Sequence, residues 1–168
     1  MVRRAVLGDV RVLAELHVAA WQAAYKNLLP DDFLASLTPA QREEQWRNSL
    51  RAPEEEVYLF EDAGRPVAFS SLGRQRDPDK DVSTTKELYT LYALPEVWGQ
   101  GAGRALWLAM LKSLTSQGFE EVTLWVLNSN ARAIRFYEKA GFIADSKEKH
   151  ETWRNGLELH ELRYVRPL

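Results

Sequence analysis

Apolar residues recur every three or four positions in the first part of the chain, which is the period of an α-helix with one buried face. Residues 2–7 before this pattern form a short strand-like run, and Asp9 is a suitable N-cap for the helix. The pattern predicts that the helix ends near the segment NLLPDDF. Its apolar face consists of Val10, Leu13, Leu16, Ala20, Trp21 and Ala24.

A second helix is predicted by the residues that would start it. Thr38 is a suitable N-cap, Pro39 fits the first helical position, and Gln41 completes a capping box with Thr38. The helix should continue to about Leu50, so two helices precede the main sheet.

The middle of the chain changes to the two-residue period of β-strands. The segment EVYLFEDAGRPVAFSSLGR predicts a hairpin of two antiparallel strands joined at residues 62–65. The polar segment RQRDPDKDVSTTK follows as the longest predicted loop, and ELYTLYAL is a further strand, which Pro95 ends.

That strand is followed by a helix and another strand, which is the order of a parallel βαβ unit. The helix should run from about Gly101 to Gln117 and end at Gly118. The apolar segment VTLWVL, residues 122–127, should be a buried parallel strand. A right-handed crossover would bury one face of the helix on the sheet, formed by Leu106, Ala109, Met110 and Leu114.

The chain ends with a short predicted helix and a hairpin. The segment ARAIRFYEKA has helical spacing, with Asn128 or Ser129 as its N-cap and Gly141 as its end. Asn155 and Gly156 separate two strand-like runs and predict a type I′ turn. No repeat or linker divides the sequence. We therefore expect one domain over residues 1–168, with an α/β fold in which helices cover both faces of a mixed sheet.

Composition narrows the class of protein. The chain has 168 residues, of which 45% are hydrophobic and 27% charged, with a net charge of -2 and no cysteine. These values are typical of a globular domain, without the basic excess of a nucleic-acid-binding protein or the ~20-residue apolar segment of a membrane protein. Gly8 and Asp9 interrupt any signal-peptide core, so we expect a cytoplasmic protein whose chemistry uses no thiol.

Gly99, Gly101 and Gly103 stand at the junction between a predicted strand and a predicted helix. Such a turn can aim several backbone N–H groups and the positive end of the helix dipole at one anion, which is typical of phosphate binding. The other interpretation is a tight turn packed against a neighbouring element. The chain has no GxxxxGK[ST] string, and Arg104 stands where a GxGxxG motif needs its third glycine. Nucleotide hydrolysis and hydride transfer therefore fit poorly.

The segment ELYTLYALPEVWGQGAGRALW, followed by NSNARAIRFYEKAGF, resembles the GCN5-related N-acetyltransferase (GNAT) superfamily. The signature of that family is [Q/R]xxGxG or its alanine variant, with a second block that ends in a Tyr and a Gly-Phe pair. The resemblance implies a GNAT fold, in which a mostly antiparallel sheet of six to seven strands contains a central parallel βαβ unit. It also implies a transferase that takes an acetyl group from acetyl-CoA and uses no metal.

By this resemblance, the glycine turn holds the pyrophosphate of CoA, and the strand before it lies along the pantetheine arm. Trp98 departs from the family, which usually has Gln or Arg at this position. For Asn130, simple capping of the last helix is the equal alternative. The implied cofactor contacts are Leu91, Tyr92, Ala93, Trp98, Gly99, Gln100, Gly101, Ala102, Gly103, Arg104, Asn130, Ala133 and Tyr137.

Acetyl transfer to an amine involves two proton transfers. Glu87 matches the position from which the histone-acetylating branch of the family supplies its base, and Tyr137 matches the tyrosine that would protonate the leaving thiolate. The alternatives are a solvent-facing carboxylate for Glu87 and a core aromatic residue for Tyr137. Without a cysteine or a G-x-S-x-G motif, we expect direct attack of the amine on the thioester, with a backbone N–H near Tyr92 stabilising the oxyanion.

The sequence says least about the acceptor. Aromatic residues that would line its pocket are Trp21, Tyr25, Tyr89 and Trp46, with core packing as the alternative for each. The acidic loop residues Asp77, Asp79 and Asp81 would either attract a cationic amine or form a solvated loop. The histidines have no ligand spacing and indicate no metal site; they are His17, His150 and His160.

The resemblance leaves the acceptor as the amine of a small molecule or of a peptide, and it leaves both a monomer and a homodimer open. A non-catalytic CoA-binding sensor or interaction module with the same fold is the alternative function. A structural domain that binds no CoA is a third interpretation.

Overall fold

The computed structural model describes residues 1–153 and 156–168, and within them the backbone forms five helices and seven strands. The strands are β1 (Val2–Arg4), β2 (Glu56–Asp62), β3 (Arg65–Arg74), β4 (Thr85–Ala93), β5 (Glu121–Leu127), β6 (Ile143–Thr152) and β7 (Glu158–Pro167). The helices are α1 (Val10–Ala24), α2 (Asp31–Ser36), α3 (Pro39–Arg51), α4 (Ala102–Ser116) and α5 (Ala131–Lys139). None of the helices in the described part of the chain is both long and apolar enough to span a membrane.

All the strands belong to one sheet in the order β1-β2-β3-β4-β5-β7-β6. Neighbouring strands are antiparallel except β4 and β5, which run parallel and are connected by α4. This arrangement confirms the predicted mixed sheet with one central parallel βαβ unit.

Helices cover both faces of the sheet, as predicted. On one face α1 and α3 pack onto β2 and β3, with Leu13, Trp46 and Phe69 almost fully buried. On the other face α4 buries Leu106, Met110 and Leu114 against Val67, Leu72, Leu88, Val122 and Leu124. Ala109, which was expected to be buried with them, is only partly buried.

The start of the chain differs from the prediction. The first strand ends at Arg4, and a 3-10 turn over Leu7–Asp9 leads into α1. Asp9 makes no capping hydrogen bond to α1. Its carboxylate instead accepts hydrogen bonds from the Val6 backbone N–H and from the Arg3 guanidinium, because the turn points it back toward β1.

Two further expectations about helices are wrong. Three helices rather than two precede the strand β2, because the segment after α1 contains the short helix α2. This helix has too few residues to show a periodic pattern. The N-cap of α5 is Asn130 rather than Asn128 or Ser129: its Oδ1 atom accepts a hydrogen bond from the Ala133 N–H at 3.2 Å. Asn128 still belongs to the end of the β5 strand region, since its N–H bonds to the His160 carbonyl.

Local turn chemistry otherwise follows the sequence. Gln41 accepts a hydrogen bond from the Thr38 N–H at 2.9 Å, which is half of the predicted capping box. Gly118 and Gly141 end α4 and α5 with φ angles of 81° and 90°. The closing hairpin of β6 and β7 is present, whereas Asn155 of its predicted turn lies outside the described residues.

The acidic loop between β3 and β4 is exposed at Asp79 and Asp81, but two of its carboxylates fix it to the sheet. Arg163 on β7 is 3% exposed, and its Nη1 atom lies 3.0 Å from Asp77 and 2.8 Å from Asp79. The same guanidinium binds Asp145 at 2.8 Å. These acids balance a buried cation, so the expectation that Asp77 and Asp79 attract an amine is wrong. Asp81 is exposed and accepts hydrogen bonds from the backbone N–H and hydroxyl of Ser83.

Candidate active site

A cleft opens where β4 and β5 separate. The two strands pair from Thr85 and Glu121 as far as Leu88 and Leu124, and no pairing joins their later residues. Tyr89 is an extra residue in β4 relative to β3, which makes a β-bulge at this point. Because bulges bend a strand and increase its twist, this bulge helps to turn the end of β4 away from β5. The cleft therefore lies at the C-terminal ends of two parallel strands, where ligands bind in open α/β sheets.

A cavity of about 1210 Å³ occupies this cleft. It extends from the glycine turn at the start of α4 to the aromatic side chains of α1 and the β6–β7 hairpin. The predicted cofactor, catalytic and aromatic acceptor residues line it except Gln100, whose side chain turns away to the Glu96 carbonyl; the acidic loop residues do not line it. The sequence-based site thus comes together in one place. We call the part of the cavity at the turn the cofactor end and the part beside α1 the acceptor end.

Free backbone amides define the cofactor end. No atom of the described residues accepts a hydrogen bond from the backbone N–H groups of Gly99, Gly101, Ala102, Gly103 or Arg104. The last three begin α4, so the positive end of its dipole adds to their partial charges. Several unpaired donors at a helix N-terminus form a binding site for phosphate.

Glycine is needed at the three positions of the turn for two different reasons. Gly99 and Gly101 have φ angles of 72° and 92°, and a Cβ atom at either would meet no other atom within 4 Å. A Cβ atom at Gly103 would come within 3.2 Å of Phe136 and 3.4 Å of Leu91. The packed-turn interpretation therefore applies to Gly103, whereas Gly99 and Gly101 allow the left-handed backbone that exposes the amides.

Trp98, which departs from the family pattern, has a structural role at the cofactor end. Its indole N–H donates to the Ala93 carbonyl at 2.7 Å and so connects the turn to the end of β4. The Arg132 guanidinium lies over the same ring, with its carbon 3.2 Å from the ring centroid. The turn therefore gains a cation from α5 at the position where the sequence lacks one.

Basic side chains surround the cofactor end without anions of their own. Within residues 1–153 and 156–168, none of the four basic residues that line the cavity beside the turn forms an ion pair. These residues are Arg104, Arg132, Arg135 and Lys139. Such a set of free cations favours a ligand with several phosphates.

The middle of the cleft consists of one strand edge and two polar side chains. Leu91, Tyr92 and Ala93 of β4 pair with β3 on one side only, so their other edge faces the cleft. Asn130 uses its oxygen as the cap of α5, and its amide nitrogen has no hydrogen-bond partner in the described part of the chain. Both proposed roles of Asn130, capping and ligand contact, are therefore compatible.

Tyr137 lies between the two ends. Its ring packs against Phe136 and Phe142, with centroids 5.4 and 5.7 Å away, while the residue also lines the cavity. Its hydroxyl has no hydrogen-bond partner among the described residues. Burial, with a smaller effect of Tyr25, raises the pKa of Tyr137 well above its usual value. The hydroxyl is therefore protonated throughout the physiological range and able to donate.

Glu87 is buried and paired rather than solvent-facing. It is 1% exposed, and one of its oxygens accepts hydrogen bonds from the Arg76 Nε atom at 3.0 Å and the Arg76 backbone N–H at 3.2 Å. The other oxygen accepts from Arg76 Nη2 at 2.5 Å. A base role for Glu87 would require Arg76, whose side chain is 63% exposed, to release one oxygen.

Aromatic rings form the acceptor end. Trp21 lies 5.0 Å from Tyr25 and is stacked at 6.3 Å on Trp153, between ring centroids. Tyr25 and Tyr92 share a hydrogen bond of 2.7 Å between their hydroxyls, and burial raises the pKa of Tyr25 to about 12. Tyr89 lines the same cavity, with the Arg76 guanidinium 4.3 Å above its ring.

His17 and Trp46 form the floor beneath these rings. His17 is 3% exposed, and neither of its ring nitrogens has a hydrogen-bond partner among the described residues. Burial, with a smaller contribution from Arg42, lowers its pKa to about 3, so the ring is neutral. Trp46 is 2% exposed and packs against His17 and Phe69, which supports core packing rather than acceptor contact.

Sequence reasoning missed the residues that β6 and β7 contribute. Trp153, Lys149, Glu151 and Glu161 all line the cavity. Residues two positions apart on a strand share a face, but no local signal in the sequence shows that the face carrying Glu161 turns toward the cleft.

The histidine interpretation needs one correction. His150 and His160 are directly opposite each other on β6 and β7, with ring centroids 4.2 Å apart. His160 Nε2 lies 2.8 Å from the Glu148 carboxylate, so three groups able to bind a metal ion lie together. They do not line the cleft, because they face the other side of the hairpin.

Comparison with known proteins gives a consistent result. Residues 21–142 match the family model described as "Acetyltransferase (GNAT) family". The chain is 34% identical over 139 residues to an uncharacterized N-acetyltransferase, YuaI, of Bacillus subtilis (strain 168), which covers 82% of this chain and 76% of that protein. A mycothiol acetyltransferase of Thermobispora bispora is 38% identical over 85 residues, 51% of this chain; the chain matches only 29% of that protein.

Among solved structures, the fold is similar to that of the PaiA N-acetyltransferase from Thermoplasma acidophilum, which was crystallised in complex with coenzyme A. The TM-score is 0.79 at 19% identity, over 100% of this chain and 98% of that one. At this identity the likeness establishes the shared architecture.

Proposed function

The chain belongs to the acetyltransferase (GNAT) family, and on this premise we propose that it transfers the acetyl group of acetyl-CoA directly to a primary amine of a small molecule or of a peptide. The observation that carries the proposal is the set of free backbone amides at the start of α4, beside the unpaired edge of β4. The diphosphate of CoA would bind the free amides at the turn, and its extended pantetheine arm would lie along the unpaired edge of β4.

Each part of the cofactor end fits one part of CoA. The free amides of Gly99 and of residues 101–104 would hold the pyrophosphate, and the free cations beside them would meet the remaining phosphate charge. The edge of β4 at Leu91, Tyr92 and Ala93 would bind the pantetheine amides as a neighbouring strand would, with Asn130 and Ala133 on the opposite wall. Trp98 would contribute through Arg132 rather than through its own side chain.

Acetyl-CoA supplies a thioester that is already reactive toward amines. The protein would bring the acceptor to it from the aromatic end and stabilise the developing oxyanion with a backbone N–H near Tyr92. Tyr137 would hold a proton at its Oη atom and donate it to the departing thiolate, because the residue lines the cavity between its two ends.

Glu87 is the base that the sequence predicts. In this role it would accept a proton from the acceptor through a water molecule after Arg76 moves aside. Because Arg76 is already paired with this carboxylate, a positioning role is favoured. In that role, Glu87 would hold the Arg76 guanidinium over the Tyr89 ring in the wall of the cavity.

Thiol release in the presence of acetyl-CoA and a panel of amino acids, polyamines, aminoglycosides and peptides tests the proposal. We expect CoA release with at least one amine and an acetylated product by mass spectrometry. Acetyl-CoA should also stabilise the protein, by ~2.7 kcal/mol at 100 times its Kd. Stabilisation without any acetyl transfer would support the sensor or interaction module instead, and the absence of both would support a structural domain.

A further inference from the structure

Glu161 lines the cavity but has no role in the acetyl transfer proposed for the chain. It lies on β7 opposite Leu127, the last residue of β5, and opposite Lys149 on β6. Glu161 therefore lies beside the point where the cleft between β4 and β5 opens.

The carboxylate of Glu161 lacks a partner. Glu87 is paired with Arg76 and Glu151 with Lys149, at 2.9 Å, whereas no hydrogen bond or ion pair to the Glu161 carboxylate occurs within the described residues. The side chain is half-buried, and burial raises its pKa above the usual value. Because a partly desolvated charge is costly without a counter-charge, a cationic ligand would gain from binding here.

Charged and titratable groups face Glu161 from every neighbouring element. Lys149 and Glu151 come from β6, Glu87 from β4 and Arg76 from the loop before it, and their charges act on Glu161 in opposite directions. The buried hydroxyls of Tyr25 and Tyr92 are close enough that the Glu161 charge raises the pKa of both. Among these groups, only Glu161 offers a free anion at the acceptor end.

The walls around Glu161 are aromatic. Trp21 and Trp153 stack on one another beside Tyr25, and both indoles line the cavity. Aromatic faces attract ammonium groups and bury apolar surface. An acceptor that satisfies both features carries a primary ammonium group on an apolar or aromatic body.

We propose that Glu161 binds the ammonium group of such an acceptor and takes the proton that must leave before the nitrogen can attack. This inference rests on the proposed acetyl transfer. Of the two protons that the ammonium loses overall, one passes to Glu161 and then to solvent, and the second ends on the thiol of CoA by way of Tyr137. The C–N bond forms as the C–S bond breaks, so no further reactant is needed.

The test compares Glu161→Gln with Glu158→Gln, which removes the same charge from an exposed position of the same strand. The acceptors are phenethylamine and p-anisidine, an aromatic amine that is already unprotonated at neutral pH. For phenethylamine we expect Glu161→Gln to lower kcat/KM about 10²- to 10⁴-fold near neutral pH. Its pH profile should lose the wild-type plateau and rise tenfold per pH unit toward the pKa of the amine. For p-anisidine the loss should be under tenfold, and Glu158→Gln should match the wild type with both acceptors.

Binding gives a readout that does not depend on turnover. With the protein saturated with CoA, phenethylamine should quench tryptophan fluorescence, and Glu161→Gln should weaken its binding more than tenfold without affecting 2-phenylethanol. Glu161→Asp, which keeps the charge, should recover part of both effects. A thermal shift with acetyl-CoA equal to that of the wild type shows that each variant is folded.

The outcomes separate the two proposals. If the wild type acetylates phenethylamine and Glu161→Gln behaves like Glu158→Gln, the inference about Glu161 is wrong and the proposed function stands. If Glu87→Gln removes the plateau while Glu161→Gln retains it, Glu87 is the base. If the wild type transfers acetyl groups to no amine at all, the proposed function itself fails.

Discussion

The cofactor end and the acceptor end of the cleft are built from different parts of the chain. At the cofactor end, ligand groups are backbone amides within residues 99–104, supported by free basic side chains. At the acceptor end, the groups are side chains from α1, α3, β4, the preceding loop, β6 and β7. They carry aromatic rings, carboxylates and the cations of Arg42, Arg76 and Lys149. One end is local and positively charged, and the other is assembled from distant segments and contains the acidic groups.

This difference predicts how each end responds to substitution. A site made of amides should tolerate changes of side chain, such as Trp98 at the position of the usual Gln or Arg, but should fail when the backbone is altered. A site made of side chains depends on each of them and on the contacts that hold them. Substitutions at the two ends should therefore separate binding of CoA from binding of the acceptor.

The largest expected effect comes from Tyr137, which lies where the ends meet. Tyr137→Phe should lower kcat about 10³-fold, or ~4 kcal/mol, because the leaving thiolate loses its proton donor. Steady-state kinetics and acetyl-CoA binding measure this effect, and the affinity for acetyl-CoA should stay within threefold of the wild type. Tyr164→Phe, whose ring does not line the cavity, is the control. Unchanged turnover in Tyr137→Phe would assign the ring to the core alone.

Gly101→Ala should affect the cofactor end only. At φ 92° an alanine is strained by ~1–2 kcal/mol, and its methyl group would stand in the open space beside the free amides. We expect the Kd for acetyl-CoA to rise about 100-fold, or ~2.7 kcal/mol, by calorimetry. Gly64→Ala imposes similar strain at φ 80° in the β2–β3 turn and should cost stability without changing Kd. Equal affinity in both variants would contradict the role of the amides.

The acceptor end should be the acid-sensitive part of the fold. Because the pKa of His17 is about 3 when folded and 6.5 when unfolded, the unfolded chain binds an extra proton between these values, and stability falls as pH falls. His17→Phe should remove this loss, which amounts to ~2–3 kcal/mol between pH 6.5 and 4.5 at ~1.4 kcal/mol per pH unit. Urea unfolding at both pH values measures it, with the exposed His150→Gln as control. If the free energy of unfolding falls by the same amount between the two pH values in the wild type and in His17→Phe, His17 does not cause the loss.

The smallest effect should come from a side chain at the cofactor end. Arg132→Ala should weaken acetyl-CoA binding about tenfold, or ~1.4 kcal/mol, since it removes the cation that rests on Trp98 but leaves the amides. The loss should shrink in high salt, because the guanidinium is exposed. Arg51→Ala at the end of α3 is the control. A loss as large as that of Gly101→Ala would mean that side chains, not amides, dominate this end.

Much of the fold followed from local pattern. The hairpin of β2 and β3, the βαβ unit and the glycine ends of α4 and α5 all depend on signals within a few residues, and they are confirmed. Several errors arose where a side chain binds a residue of another element. Asp9 binds Arg3 instead of capping α1, and Asp77 and Asp79 neutralise Arg163 on β7 instead of attracting an amine.

The same distinction holds for the site. The turn exposes its amides because Gly99 and Gly101 have positive φ angles. Glycine itself allows these angles, so the local sequence is enough to predict them. Whether Glu87 is free or paired depends on Arg76, and whether Glu161 faces the cleft depends on the register between β7 and β5. No spacing along the chain reports either contact.

By itself, the sequence determined the order of the strands and of the longer helices, together with the glycine turn before α4, because helix periods, caps and left-handed glycines act over a few neighbouring residues. The tertiary structure alone decided the acceptor end, where Trp21, Trp153 and Glu161 meet. Strand register and the packing of the hairpin bring these residues together, and both are set by contacts between segments that are far apart in the chain.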